Sequence, residues 1–340
     1  MRPSHTRTFA YVSCADSREI LVLELNPANG DLALAQRLPA GGMAMPLAVS
    51  PDRRRLYAGL RSTPYRAASY EIDPSSGHLS LLGHGSLPDS MPYLATDRTG
   101  NHLLAASYGG HKVAVSRIAE SGVPDTPHQV TTTAPNAHAI VADPSNRFAF
   151  VPCLGAHVVL QYRFDETDGT LLPNDPPSVA VRHGAGPRHF VFHPDGFHAY
   201  LLNELDATVC VFAFDQDGGT LELRQTETAM PAGHPERPWA ADLHVTPDGR
   251  FLYTSERRSS TLATFAIGAD GHLALQGHCA TESEPRGFAI DPSGNYLLAV
   301  GQASHSMTSY AIDRNSGSLR ELRKYAMGKN PNWVEIVALP

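Results

Sequence analysis

Short apolar runs alternate with polar turn clusters along the whole chain, and no ten-residue stretch shows helical spacing. Six segments share one order of events: a proline, an apolar stretch, a turn rich in Asp, Pro or Gly, and a second strand rising through an aromatic residue or Leu. They are PLAVSPDRRRLYAGL, PYLATDRTGNHLLAAS, PNAHAIVADPSNRFAFVP, PRHFVFHPDGFHAYLLN, PWAADLHVTPDGRFLYTS and PRGFAIDPSGNYLLAVG. A seventh, FAYVSCADS, starts partway through the pattern. One anchor position of the rising strand falls at Tyr11, Tyr57, Leu104, Phe150, Tyr200, Tyr253 and Leu298. That is a repeat of about 47 residues, the size of a propeller blade. An alternating run follows each anchor, such as ATVCVFAFD or TLATFAI. A D-x-x-G-x-L turn then introduces a fourth strand, as in PSSGHLSLL, QDGGTLEL, GADGHLAL and RNSGSLREL.

Seven repeats of four strands predict an all-β chain folded as a seven-bladed β-propeller over residues 1–340, one domain despite its length. The first repeat lacks its opening strand, and the chain ends on PNWVEIVAL, an apolar strand behind the same proline. The C-terminal strand is therefore expected to pair with the N-terminal blade and close the ring, leaving no open sheet edge there. The Trp-Asp and Gly-His dipeptides of WD-type blades do not occur at the matching positions.

Composition adds exclusions. A net charge of −7 with 18% charged residues offers no basic surplus for nucleic acid or an acidic membrane. No apolar run approaches the roughly 18 residues of a membrane span. The N-terminus shows no apolar core of signal-peptide length, so the expected location is cytoplasmic. Cys14, Cys153, Cys210 and Cys279 are scattered without zinc spacing, and reduced buried thiols are expected. His189 and His193 have the spacing of a helical metal pair but lie on a strand pattern without further ligands. No metal and no other cofactor are expected.

Strand direction sorts the remaining chemistry. With strands labelled A to D from the axis outward, the D-to-A and B-to-C connections share one face of the disc. Starts of strand A place His138, Arg188, His189, Trp239, Asp242, His244 and Arg286 at that face. Ends of strand B add Arg61, Tyr108, Glu204, Asp206, Arg257, Gln302 and His305. The other face receives SPDR, DPSN, HPDG, TPDG and DPSG, which read as turn chemistry. A structural alternative stands beside each candidate. His138 and His244 could be satisfied inner-strand histidines; Arg188, Arg257 and Arg286 could be inter-blade ion pairs; Glu204 could cap the LDA turn. His183 and His193 read as structural.

The stretches GAGPRHFVFHPDGFHAYLLNELDATV, WAADLHVTPDGRFLY, EPRGFAIDPSGNYLLAVGQASH, PLAVSPDRRRLYAGLR and YAMGKNPNWV are distributed along the chain from Pro46 to Val334. In them the sequence resembles the seven-bladed lactonases, the propeller-type 6-phosphogluconolactonase family. That family is similar in turn to eukaryotic propellers that cyclise carboxymuconate to a lactone. The resemblance implies a site of His138, Arg188, Glu204 and Arg257. Two positions depart from the usual pattern: Ala139 stands where a serine is common, and Glu256 where Asp or Asn precedes the second arginine.

Hydrolysis of a δ-lactone requires a base, an oxyanion stabiliser and a proton for the leaving oxygen. The expected roles are Glu204 or His138 as base, Arg188 and Arg257 as electrostatic clamp, and His244 as proton donor. Arg61 and Arg286 are expected to hold a sugar phosphate, as guanidinium suits phosphate oxygens. Tyr108, His189, Trp239 and Gln302 complete the expected substrate contacts. The partner implied is a small lactone, most simply 6-phospho-D-glucono-1,5-lactone. The alternatives are a lactonase or cycloisomerase for an unphosphorylated sugar-acid or muconate-type lactone, and a binding propeller without catalysis.

Overall fold

The structure, a computed structural model, describes residues 6–340. Seven four-stranded antiparallel sheets are arranged as blades, and six of them are built from consecutive strands. The remaining blade joins both ends of the chain in the order Pro331–Leu339, Arg7–Cys14, Glu19–Leu25 and Leu32–Pro39. Its strand A is thus C-terminal, in register with strand B from Arg7↔Leu339 to Ser13↔Trp333. The ring closes as the orphan PNWVEIVAL predicts, and no helix is present among the described residues.

The turn chemistry explains why each hairpin forms where it does. In the A-to-B turn of blade 4, Asp143 accepts the N–H groups of Arg147 and Phe148, both at 2.8 Å. Asp291 does the same for Asn295 and Tyr296 in blade 7. In the C-to-D turn of blade 2, Asp73 accepts from the N–H groups of Ser75 and Ser76. Gly77 then adopts φ +69, and a Cβ there would meet the Phe9 ring at 2.5 Å.

Each hydrophobic cluster draws on two neighbouring blades, so the core is a ring of inter-blade seams. Anchor residues stitch those seams. Tyr11, Tyr200 and Tyr253 each donate their buried hydroxyl to a glycine carbonyl of the next blade, at 3.0, 3.0 and 2.7 Å. Gln36, Gln129 and Gln225 clamp Leu79, Leu171 and Leu273 of the next blade through both backbone groups. Between blades 4 and 5 pack Phe148, Phe150, Phe190, Phe192 and Phe214, with ring centroids 5.0–6.4 Å apart. Aromatic pairs of this kind add about 0.5–1.5 kcal/mol each beyond burial.

The inner strands depart from simple alternation. Strand A of blade 4 shrinks to Val141–Ala142, because its partner strand carries Pro152, which accepts from the His138 N–H but has no N–H to return. In blades 5, 6 and 7 the top of strand A is bulged, between Pro187 and His189, Ala240 and Leu243, and Pro285 and Gly287. Bulges re-aim side chains, and Arg188, Asp242 and Arg286 sit in these three.

Candidate active site

Glu204 immediately follows strand B of blade 5 (His198–Asn203) and is held by its backbone. Its N–H donates to Gly186 at 2.7 Å, and its carbonyl accepts from Ala240 of blade 6 at 3.0 Å. Gly186 has φ +77, and a Cβ there would strike Leu205 at 2.6 Å, so the turn that presents Glu204 requires glycine.

Around this carboxylate the structure gathers three donors. Arg188, 1% exposed, gives its Nε–H to Glu204 Oε2 at 2.7 Å. Arg257 Nη2 lies 3.2 Å from the same oxygen. The indole N–H of Trp239 donates to Oε1 at 3.2 Å. Burial would raise the Glu204 carboxyl, but the charges of Arg188 and Arg257 outweigh it and hold the group below its ordinary value. Arg257 is further fixed by the carbonyls of Trp239 and Ala240, and the Trp239 ring lies 3.7 Å from its guanidinium carbon. Glu256 supports this corner from below, accepting from the N–H groups of Trp239 and Ser259.

His138 borders the cluster. Its ring stands 5.2 Å from His189 and 5.9 Å from Tyr108, which is 39% exposed at the rim. Burial first, then the charge of Arg188, keeps the imidazole well below its usual pKa, so it is neutral near pH 7. Neither ring nitrogen has a hydrogen-bond partner among the described residues, and Nδ1 is fully buried. Arg286 also makes no hydrogen bond or ion pair with a described residue. Burial, then Arg188, lowers its pKa to about 9, and it also senses Glu204 and Arg61. Arg61 is exposed at the mouth, with Nε donating to Ser90 Oγ at 2.8 Å.

His189, Asp242 and His244 form a lower tier. His189 Nδ1 is 2.8 Å from Asp242 Oδ1, and His244 Nε2 is 3.2 Å from Asp242 Oδ2. Burial would raise Asp242, but the charge of His244 and the bonds from both histidines hold it ionised. Burial would lower His244, but Asp242 wins and raises it. Two residues along a strand is about 7 Å, so His244 lies deeper than Asp242 and packs edge-on against Phe288 at 4.8 Å. The expected proton donor therefore reaches the arginine cluster only through Asp242 and His189. Gln302 also stays apart, donating to Asn330 at 2.7 Å.

Below these groups, Tyr93, His189 and Trp333 approach one another at 5.3–5.7 Å and floor the site. Beneath the floor a cavity of about 320 Å³ is lined in part by Tyr93, Trp333, Arg98 and Glu335. The sequence reading did not select Tyr93, Trp333 or Glu335. The signal was there, since Tyr93 follows the same proline as Arg188 and Arg286, and Trp333 and Glu335 alternate along the closing strand.

Residues 7–336 match the family described as "Lactonase, 7-bladed beta-propeller". The protein belongs to that family. Among its lactonase relatives, the 6-phosphogluconolactonase of Pectobacterium carotovorum is 42% identical over 97% of this chain and 98% of its own. That of Serratia proteamaculans is 41% identical over 98% and 99%. The periplasmic gluconolactonase of Pseudomonas aeruginosa superposes with TM-score 0.91 at 30% identity, covering 98% of this chain and all of that one. A putative 6-phosphogluconolactonase from Bacteroides fragilis shares the fold, with TM-score 0.90 at 23% identity, covering 99% of both chains.

Proposed function

We propose that this lactonase hydrolyses 6-phospho-D-glucono-1,5-lactone to 6-phospho-D-gluconate, a step of the pentose phosphate pathway, through His138, Arg188, Glu204, Arg257 and Arg286. The observation that carries this reading is the charge of the cluster around Glu204. Arg61, Arg188, Arg257 and Arg286 converge on it, Glu204 is the carboxylate they share, and Arg286 is unpaired among the described residues. Asp242 is offset by His244. Such a cluster favours an anion, and Arg286 with Arg61 offers guanidinium groups to a phosphate. The curated relatives at 41–42% identity carry the same activity in their names.

In this mechanism His138 is the base, because its ring has a lone pair free while both Glu204 oxygens are already engaged. A water loses its proton to His138 as it attacks the lactone carbonyl. The oxygen that becomes negative is met by Arg188 Nη2 and Arg257 Nη1, which have no protein partner among the described residues. Preorganised donors of this kind are worth roughly 10²–10³-fold. The C1–O5 bond then breaks, and the His138 imidazolium returns its proton to the ring oxygen. Glu204 orients the arginines, and no step calls on His244. The carboxylic acid formed ionises, so one proton is released per turnover. No metal takes part, since four guanidiniums would repel a cation. A sugar-phosphate substrate also implies a cytoplasmic enzyme; no helix among the described residues is long and apolar enough to cross a membrane.

A second reading, an aldonolactonase for unphosphorylated substrate, is favoured by the Pseudomonas aeruginosa relative. Proton release by purified protein, measured on the phosphorylated and plain lactones, tests the proposal. Turnover above the spontaneous rate with the phosphorylated lactone, lost in His138→Ala, is expected. Turnover only with plain gluconolactone would replace it by the second reading.

A further inference from the structure

Arg188 and His189 are adjacent in the chain, and on an unbroken strand they would point to opposite faces. The bulge at Arg188 brings both to the channel, where Arg188 Nη1 lies 3.0 Å from His189 Nε2. A guanidinium nitrogen can only donate, so Nε2 must supply a lone pair. The ring's single proton is then on Nδ1, which donates to Asp242 Oδ1 at 2.8 Å. Asp242 is itself fixed by the N–H groups of Leu243 and Phe288, at 3.0 and 3.3 Å, and by His244.

We propose that Asp242 is a positioning residue of the lactonase: it locks His189 in the Nδ1–H tautomer, so that Nε2 anchors Arg188 with its Nη2 presented to the substrate. The inference rests on the role given to Arg188 above. Its geometry closes without a gap. Arg188 is bonded at Nε by Glu204 and at Nη1 by His189 and the Ala241 carbonyl, and only Nη2 is left over. Protonation of His189 would set two donors face to face and break the chain. Burial and the Arg188 charge oppose it, lowering the imidazole to about 4. The lock places Arg188 before the oxyanion forms, which removes reorganisation from the chemical step. The other tautomer would turn a donor toward Arg188 and leave Asp242 facing a lone pair.

Two amide replacements separate the halves of this device. His189→Asn keeps an N–H near the Nδ1 position for Asp242 but cannot reach Arg188. His189→Gln places an amide oxygen near the Nε2 position. With the phosphorylated lactone, His189→Asn should lose at least about tenfold in kcat with little change in KM, and His189→Gln should recover most of it. Asp242→Leu should lose as much as His189→Asn, and the double variant no more than either single one, because both act through one link. Should Asp242→Leu fail to fold, the ring ¹⁵N spectrum of selectively labelled wild-type protein gives the tautomer directly. The expected spectrum shows neutral His189 protonated at Nδ1. A ring protonated at Nε2, or asparagine and glutamine variants impaired alike, would overturn the proposal. Absence of wild-type turnover on this lactone would instead count against the proposed substrate and leave the tautomer measurement standing.

Discussion

Trp239 donates its indole N–H to Glu204 Oε1 at 3.2 Å while its ring covers the Arg257 guanidinium at 3.7 Å. One side chain thus ties the carboxylate to the second arginine of the clamp, and Arg258 stacks on it as well, at 4.7 Å. Trp239→Phe keeps a ring over Arg257 but removes the hydrogen bond. A loss of about 2- to 12-fold in kcat is expected from one hydrogen bond. Trp239→Ala also removes the stacking and should lose more. Kinetics of both variants with melting temperatures check this; an unchanged kcat in Trp239→Phe would mean that the indole N–H does nothing for Glu204.

Truncation after Lys329 removes strand A of the closing blade, together with Trp333 and Glu335. Strand B (Arg7–Cys14) would be left with an unpaired edge facing the channel. The truncated chain should be insoluble or melt far below the full chain. Unchanged melting would contradict the closure.

Glu335 is raised by burial to about 7 from an ordinary 4.5, against the pull of its Trp333 bond at 2.8 Å and of His244. The folded state holds this proton more tightly than the unfolded one. The associated stability is full below about pH 4.5 and is lost as the pH rises through 7. Glu335→Gln keeps the acceptor for Trp333 without the buried charge, so it should raise the melting temperature at pH 8 more than at pH 5. An equal shift at both values would show that Glu335 ionises freely in the folded protein.

The architecture was legible because turns carry it. Asp143, Asp291 and Asp73 bond the backbone within a few residues, so their effect is local and readable, and Tyr11, Tyr200 and Tyr253 mark the repeat by size alone. Strand direction also placed His138, Arg188, Glu204 and Arg257 at one end of the channel. The bulges at Arg188 and Asp242 were not legible, because they arise from pairing with the neighbouring strand and leave no mark in composition. They bring His189 beside Arg188 and join it to Asp242, while His244 lies lower. The indole bond from Trp239 to Glu204 spans two blades and is equally invisible in one repeat.

Dialysis against a strong chelator should leave turnover unchanged. His193, Asp195 and His198 do approach one another, but in an A-to-B turn of the opposite face. His193 Nε2 there lies 2.8 Å from the Gly249 carbonyl, and His198 Nδ1 2.8 Å from Asp195. Loss of activity restored by calcium or zinc would contradict the mechanism.

The central claim is that Arg286 and Arg61 receive a phosphate while Arg188 serves the carbonyl. It is tested by kcat/KM for Arg61→Ala, Arg286→Ala and Arg188→Ala on the phosphorylated lactone and on plain gluconolactone. Loss of charge-assisted bonds worth about 1.5–3 kcal/mol corresponds to roughly 10- to 150-fold. Arg61→Ala and Arg286→Ala should lose that much with the phosphorylated lactone and far less with the plain one, whereas Arg188→Ala should lose on both. Equal losses on the two substrates for Arg61→Ala and Arg286→Ala would contradict the phosphate assignment.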